Sequence, residues 1–208
     1  MRISEPTESM LNSEQCRIYN FYASQFGSLY EYVNLYKKLI GITEGTVVDL
    51  GSGPCNFIIA LANRFPKLNF VCYENSDAMI EVANENIVNN KLTNRITILK
   101  DSLFNVSGTY DVVLSNRVLH HLEDTVKFWE LINRLDTNLL IVDINRPPQS
   151  VVDYIIENDH YREPSYKEDL INSMQAAYTL DEVREQVKQY GYGVSAGTNY
   201  KLAVYHTK

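Results

Sequence analysis

Two carboxylates and two glycines stand where they could hold a ligand. In "TVVDLGSGPCNF", Thr46–Phe57, an apolar run ends in Asp49 and is followed by Gly51, Ser52 and Gly53. A strand turning sharply into a helix gathers backbone N–H groups and the helix N-terminus at one point, and glycines let a ligand approach that backbone closely. Pro54 suits the first turn of the helix, where its missing N–H costs nothing. Glycines at such a turn also serve packing alone, so the motif by itself does not separate the two roles.

The surrounding residues narrow the ligand. A dinucleotide fingerprint needs Gly-x-Gly-x-x-Gly, but the third position here is Asn56, and no Lys-Ser/Thr pair of a phosphate loop follows. Asp49 would repel a phosphate and suits a cationic or amine-bearing group. Glu74 ends the next apolar run, and a carboxylate there can accept both hydrogen bonds of a ribose diol. A nucleoside with a positive, phosphate-free tail fits these features, and S-adenosylmethionine is such a nucleoside.

A second set of polar residues follows the fourth apolar run: Ser115, Asn116, Arg117, His120 and His121. Ligands gather at the carboxyl ends of strands in open α/β sheets, so these are candidates for acceptor contact. His121 is the first candidate for a base or orienting group, because an imidazole titrates near neutral pH. The competing reading is that both histidines pack and cap a helix start. Arg146, in "DINRPP", could clamp a substrate carboxylate or be a surface arginine in a loop stiffened by Pro147 and Pro148. Tyr19 and Tyr22 could present a ring face to a cation or pack between lid and sheet with their hydroxyls at the rim. Cys16, Cys55 and Cys72 are too widely spaced for a metal-ligand or disulfide pattern, and no metal is expected.

Five short apolar runs must position these residues: 46–50, 69–74, 95–100, 110–116 and 138–144. Several are apolar on successive residues, as strands covered on both faces are. Between them Ile58, Leu61, Ala62 and Phe65 make one helical stripe, and Phe128, Leu131, Ile132 and Leu135 another. Alternation of this kind predicts an α/β fold with a parallel sheet and helices on both faces. Residues 11–41 read as a helical N-terminal lid, with Leu29, Val33, Tyr36 and Ile40 in helical register and Gly41 as a stop. Residues 145–178 are polar and aromatic and read as a substrate lid or connector. In 179–208, Thr179 and Glu182 can form a capping box, Gly191 or Gly193 ends the helix, and two short strands flank a Gly-Thr-Asn turn.

In this order and spacing the motifs resemble those of the class I S-adenosylmethionine-dependent methyltransferases, over about residues 44–144 and more loosely beyond. "VVDLGSGPCNF" is similar to the family's glycine loop through Asp49, Gly51 and Gly53, with Cys55 where the family has a third glycine. "YENSDAMIEVANEN" resembles the ribose-binding segment, led by Glu74 and Asn75, with Ser76 to Met79 bordering the adenine. "ITILKDSLF" resembles the motif whose aspartate, here Asp101, meets the adenine amino group, with Ser102 next. "YDVVLSNRVLHHLED" is close to the fourth-strand motif, whose region runs beside the methyl and the substrate. The family's N-terminal helices often close over the cofactor, which would bring Tyr19 or Tyr22 there. The resemblance implies a three-layer, Rossmann-like, seven-stranded and mostly parallel sheet with an antiparallel last strand.

Composition bounds the partners. The chain has 208 residues, a length for one domain with a real core. A net charge of −7 lacks the footprint of a general nucleic-acid binder. No run approaches membrane-spanning length, and the N-terminal residues have no apolar h-region, so a cytoplasmic protein is expected. The expected function is methyl transfer to an O or N atom of a small-molecule acceptor, by a monomer or homodimer. The alternatives are a peptide or protein acceptor, or a non-catalytic S-adenosylmethionine-binding partner.

Overall fold

The computed structural model describes residues 2–5, 12–25 and 28–208. Each of the five apolar runs is a strand: β1 (Glu44–Leu50), β2 (Lys67–Glu74), β3 (Ile96–Lys100), β4 (Val112–Asn116) and β5 (Asn138–Ile144). They pair in parallel, in the order β3-β2-β1-β4-β5. β6 (Gly193–Ala196) and β7 (Lys201–His206) complete a seven-stranded sheet, with β7 antiparallel between β5 and β6. This is the expected α/β architecture, including its antiparallel last strand.

Neighbouring strand residues enter different cores, which is why the runs are continuously apolar. Val47 joins Leu68, Phe70, Leu114 and Val142 beneath α2 (Ser28–Leu39), α3 (Asn56–Arg64) and α4 (Asp77–Asn89). Val48 joins Val113, Leu139, Ile141 and Val204 beneath α5 (Val126–Leu135) and α8 (Leu180–Val187). The result is three layers. On α3, Phe57, Ile58 and Leu61 are buried, and at about 1.5–3 kcal/mol for each large apolar side chain they fix the helix into which the glycine loop leads.

The N-terminal helices divide their roles. α1 (Ser13–Gln25) lies on α4 through Cys16, Tyr19, Met79 and Val82, with Arg17 paired to Glu81 and Glu85 at the exposed edge. α2 belongs to the main core through Tyr32, Val33 and Tyr36 and ends before Gly41, which takes a φ of 72°. So the region read as a lid is part lid and part core. Residues 6–11 and 26–27, which fall in or beside that region, lie outside the described residues.

Residues 145–178 are more ordered than a polar connector. They form α6 (Gln149–Asn158) and α7 (Pro164–Ala176). α7 starts with Pro164 at its first turn and with the Glu163 carboxylate accepting from the Tyr166 N–H. It buries Tyr166, Leu170, Ser173 and Ala176 along one face and packs against α1, α6 and the residues just after β4. The Thr179–Glu182 capping box is formed, and Gly191, at φ 71°, closes the last helical turn. Among the described residues no helix is long and apolar enough to cross a membrane.

Candidate active site

The strand order reverses at β1, which has β2 on one side and β4 on the other. That reversal opens a crevice at the carboxyl ends of the strands, where ligands of such sheets bind. A cavity of about 470 Å³ occupies it, within the usual range of small-molecule sites. Its walls come from the segments after β1 (Asp49, Gly51–Gly53), β2 (Glu74–Ser76), β3 (Ser102–Phe104) and β4 (Asn116–Val118). Tyr19, Tyr32 and Asp169 line it from the helices above, and Glu5, His120 and His121 line it on the β5 side.

The loop after β1 is built from left-handed residues: Gly51 at φ 79°, Gly53 at 50° and Cys55 at 60°. The Gly51 and Ser52 N–H groups both donate to the Tyr73 carbonyl, 2.9 and 3.2 Å away. One Glu74 oxygen accepts from the Gly53 N–H and the other from the Asn75 and Ser76 N–H groups, each at 2.9 Å. Glu74 therefore ties the glycine loop to the start of α4, where Ser76 is the N-cap and Met79 donates to it. Cys55 takes the backbone conformation usually left to glycine. Its fully buried side chain meets Cys72, away from the cavity wall. Pro54 is a correction: it precedes Cys55 and α3 instead of sitting in the helix's first turn, and its carbonyl accepts from Asn86.

A Cβ at Gly51 would lie 2.5 Å from Val118 Cγ2, at a φ side chains rarely adopt. Gly51→Ala is expected to cost about 1–3 kcal/mol from the backbone alone and more from the displaced Val118. Gly191→Ala shares the positive φ but meets nothing within 4 Å. The melting temperature should therefore fall further in the first variant than in the second. Equal falls would mean that Val118 moves freely.

Asp49 is buried, and its Oδ1 has no hydrogen-bond partner. Ser52 Oγ and Asn116 Oδ1 are also buried and unpartnered, and all three residues line the same cavity. Three unsatisfied polar atoms on one wall call for a ligand with donors or positive charge. Burial, and then the charge of Glu74, push the Asp49 carboxyl up to about 8. The folded state thus binds a proton that the unfolded chain releases near an ordinary carboxyl pKa, so this group lowers stability as pH rises from about 4 to 8. Asp49→Asn should remove that part of the decline, read as urea midpoints at pH 5 and pH 8. Parallel pH dependence in the two proteins would contradict the assignment.

After β4 the chain makes a 3-10 turn, Leu119–His121. His120 is buried, with Nδ1 2.6 Å from Asp143 Oδ1 and its N–H donating to Asp143 Oδ2. His121 Nδ1 pairs with the buried Glu5 carboxylate, which also accepts from the Ser173 hydroxyl at 2.7 Å. Glu5 Oε1 lies 4.0 Å from His120 Nε2. Arg2 fastens residues 2–5 in place: it donates to the Ala176, His120 and Leu122 carbonyls and lies over the Tyr178 ring. Burial lowers the His120 pKa despite the opposing charge of Asp143. For His121 burial also pulls down, but the hydrogen bond and charge of Glu5 leave it raised. Ligand atoms of Glu5, His120 and His121 lie within 4.8 Å of one another, near enough to share a proton or an ion.

Of the residues singled out in the sequence, Asp49, Gly51, Ser52, Gly53, Glu74, Asn75, Met79, Ser102, Asn116, Arg117, His120, His121 and Tyr19 all line this one cavity. Four do not. Tyr22 stacks on Tyr166 and accepts from the Glu163 N–H, joining α1 to α7. Asp101 turns to the Ser102 N–H and the Asn105 amide, stabilising the local turn. Ser115 is buried and donates to the Leu50 carbonyl. Arg146 braces α8 through Glu182 and the Ala177 carbonyl instead of reaching the cavity. Sequence reasoning missed Glu5, Asp143, Asp169 and Tyr32. Asp143 carried a readable signal, an acid inside the apolar run "NLLIVDI"; Glu5 carried none.

A family model described as a methyltransferase domain matches residues 48–138. Over 74 residues the chain is 34% identical to the release factor glutamine methyltransferase of Rhodopirellula baltica, covering 34% of this chain and 25% of that one. Over 99% of its length it superposes on 97% of a Methanococcus maripaludis protein described as an S-adenosyl-L-methionine-dependent methyltransferase, with a TM-score of 0.72 and 20% identity. The chain thus shares the fold of that methyltransferase and carries a match to a methyltransferase-domain model over residues 48–138. The chain's match spans about a quarter of the length of that curated relative. A further structural neighbour is the plantazolicin methyltransferase BpumL in complex with SAH, with a TM-score of 0.68, 15% identity, and 94% and 91% of the two chains covered. The cavity of this chain offers unpartnered atoms of Asp49, Ser52 and Asn116, and its glycine loop carries no basic phosphate-binding residue.

Proposed function

We propose that the protein is a methyltransferase that moves a methyl group from S-adenosylmethionine to an O or N atom of a small-molecule acceptor by in-line displacement. The observation that carries this reading is one cavity running from the glycine loop to the two histidine–carboxylate pairs, covered by residues of α1, α2 and α7 and by Glu5. A covered site suits a small acceptor better than a polymer, and a net charge of −7 disfavours nucleic acid.

S-adenosylmethionine supplies a methyl on a sulfonium, a leaving group already activated. The chain's work is then to bind, align and take up a proton. Gly51–Gly53, Asn75 and Met79 would hold the cofactor, with Glu74 accepting from the ribose diol and Ser102 beside the adenine. Asp49 and Asn116 would face the amino-acid end. Arg117, His120 and Tyr19 would bound the acceptor. His121, oriented through Nδ1 by Glu5, leaves Nε2 to take the acceptor's proton, an arrangement in which a carboxylate fixes the tautomer of a base. Alignment can supply about 7–11 kcal/mol of the barrier reduction. The deciding experiment is calorimetric titration with S-adenosylmethionine and S-adenosylhomocysteine, with NAD as control. Binding of the first two alone is the expected result, and binding of neither would remove the proposal's foundation.

A further inference from the structure

Arg117 is the sole Lys or Arg among the described residues that line the cavity. Its guanidinium makes no hydrogen bond or ion pair within the described residues. Its electrostatic neighbours are Tyr19, Tyr32, Tyr166 and Asp143, so what exposure it has is to the cavity. Neither acid close to it forms an ion pair with it. Asp143 is engaged by His120 at 2.6 Å, and Asp169, whose Oδ1 is itself buried and unpartnered, forms no ion pair with it. The Tyr166 hydroxyl beside it is also buried without a partner.

The backbone adds an independent observation. Arg117 sits at φ 60°, a left-handed conformation that residues with a side chain rarely adopt and that clusters at ligand sites. Its N–H donates to the Val142 carbonyl at 2.8 Å, so the strained turn is locked to β5. A guanidinium cannot shed its proton, and Arg117, half-buried at the cavity wall, has no ion pair among the described residues to balance its charge. The missing partner is therefore an anion that arrives with a ligand. Arg117's neighbours belong to α1, α2, α7 and β5, not to the glycine loop, which puts that anion on the acceptor side.

Resting on the methyltransferase reading, we infer that the acceptor carries a carboxylate, held in bidentate fashion by Arg117, with the atom to be methylated turned toward His121. The fork of the guanidinium matches a carboxylate's two oxygens, and Tyr19 and Tyr32 line the same cavity. One rival source of the same chemistry is the cofactor's own amino-acid carboxylate.

The experiment separates the two. Wild-type protein, with and without saturating S-adenosylhomocysteine, is titrated with matched probes: 4-hydroxybenzoate against 4-hydroxybenzamide, and 3-phenylpropanoate against 3-phenylpropanamide. The expected preference for the carboxylate is about 10- to 100-fold, the range for a hydrogen bond to a charged group. Arg117→Gln should abolish it and leave S-adenosylhomocysteine affinity unchanged. Two results overturn the inference: no preference in either pair, or a folded Arg117→Gln protein that loses S-adenosylhomocysteine affinity, which would give the guanidinium to the cofactor. If the variant does not fold, the wild-type pairs alone decide. Failure of the wild type to bind S-adenosylhomocysteine would instead strike the methyltransferase reading, and the titrations without it would still report on Arg117.

Discussion

Replacing His121 with alanine is expected to lower kcat by about 10²–10⁴-fold, the contribution of a positioned base, with S-adenosylhomocysteine affinity unchanged. The side chain is 42% exposed, so its removal leaves no core cavity to confuse the result. Glu5→Gln gives a second readout. A base must be deprotonated to act, so kcat should rise with pH as His121 loses its proton. Burial lowers the His121 pKa, and the hydrogen bond and charge of Glu5, with the charges of Asp143 and Asp169, leave it raised. That rise in kcat should therefore fall above the ordinary imidazole value in the wild type and move to lower pH in Glu5→Gln. An unchanged kcat in His121→Ala would leave the pair only a structural task, holding residues 2–5 against α7. Loss of turnover on dialysis against EDTA, restored by zinc, would replace the proton relay with a metal held by Glu5, His120 and His121.

These two residues mark where sequence stops informing. His121 was visible because it follows a strand by five residues or fewer, in a stretch of recognisable type. Its partner was not, because Glu5 reaches it only through the fold, fastened there by Arg2 at contacts 118 and 120 positions away. Tyr22 and Arg146 are held away from the cavity for the same reason. The bond that engages Tyr22 spans 141 positions, and those that engage Arg146 span 31 and 36. Asp101 and Ser115 failed differently. Both stand at strand ends facing the ligand crevice in sequence terms, but a nearby N–H or carbonyl claims each side chain.

The sheet was legible because both its faces are covered, so each strand declares itself as a continuous apolar run. α7 was not, because the face it buries includes Tyr166 and Ser173 beside only one large aliphatic residue, Leu170. A helix that borders a polar cavity has no full apolar stripe to display. The half of the cavity at the glycine loop was readable since short, contiguous segments after β1 and β2 build it largely from backbone. The other half is assembled from residues 2–5, α1, α2, α7 and the turn after β4, and no single stretch of sequence contains it.

Glu74→Ala should weaken S-adenosylhomocysteine binding by about 10²–10⁴-fold, from two charge-assisted hydrogen bonds to the ribose diol worth roughly 1.5–3 kcal/mol each. The structure gives this carboxylate a second duty, since it already accepts from Gly53, Asn75 and Ser76. Lost affinity alone would not separate ribose contact from a loosened loop. Hydrogen exchange of the Gly53 amide in the ligand-free variant does so: faster exchange measures the loop. S-adenosylhomocysteine and 2′-deoxy-S-adenosylhomocysteine then measure the diol. Wild type should prefer the ribose form and Glu74→Ala should not. Glu74 also helps hold the Asp49 proton, after burial itself. Removing its charge lowers the Asp49 pKa toward the ordinary value, so the fall in stability with rising pH should end at lower pH in Glu74→Ala. Equal discrimination between the two nucleosides in both proteins would take the ribose from Glu74 and leave it as the residue that shapes the loop.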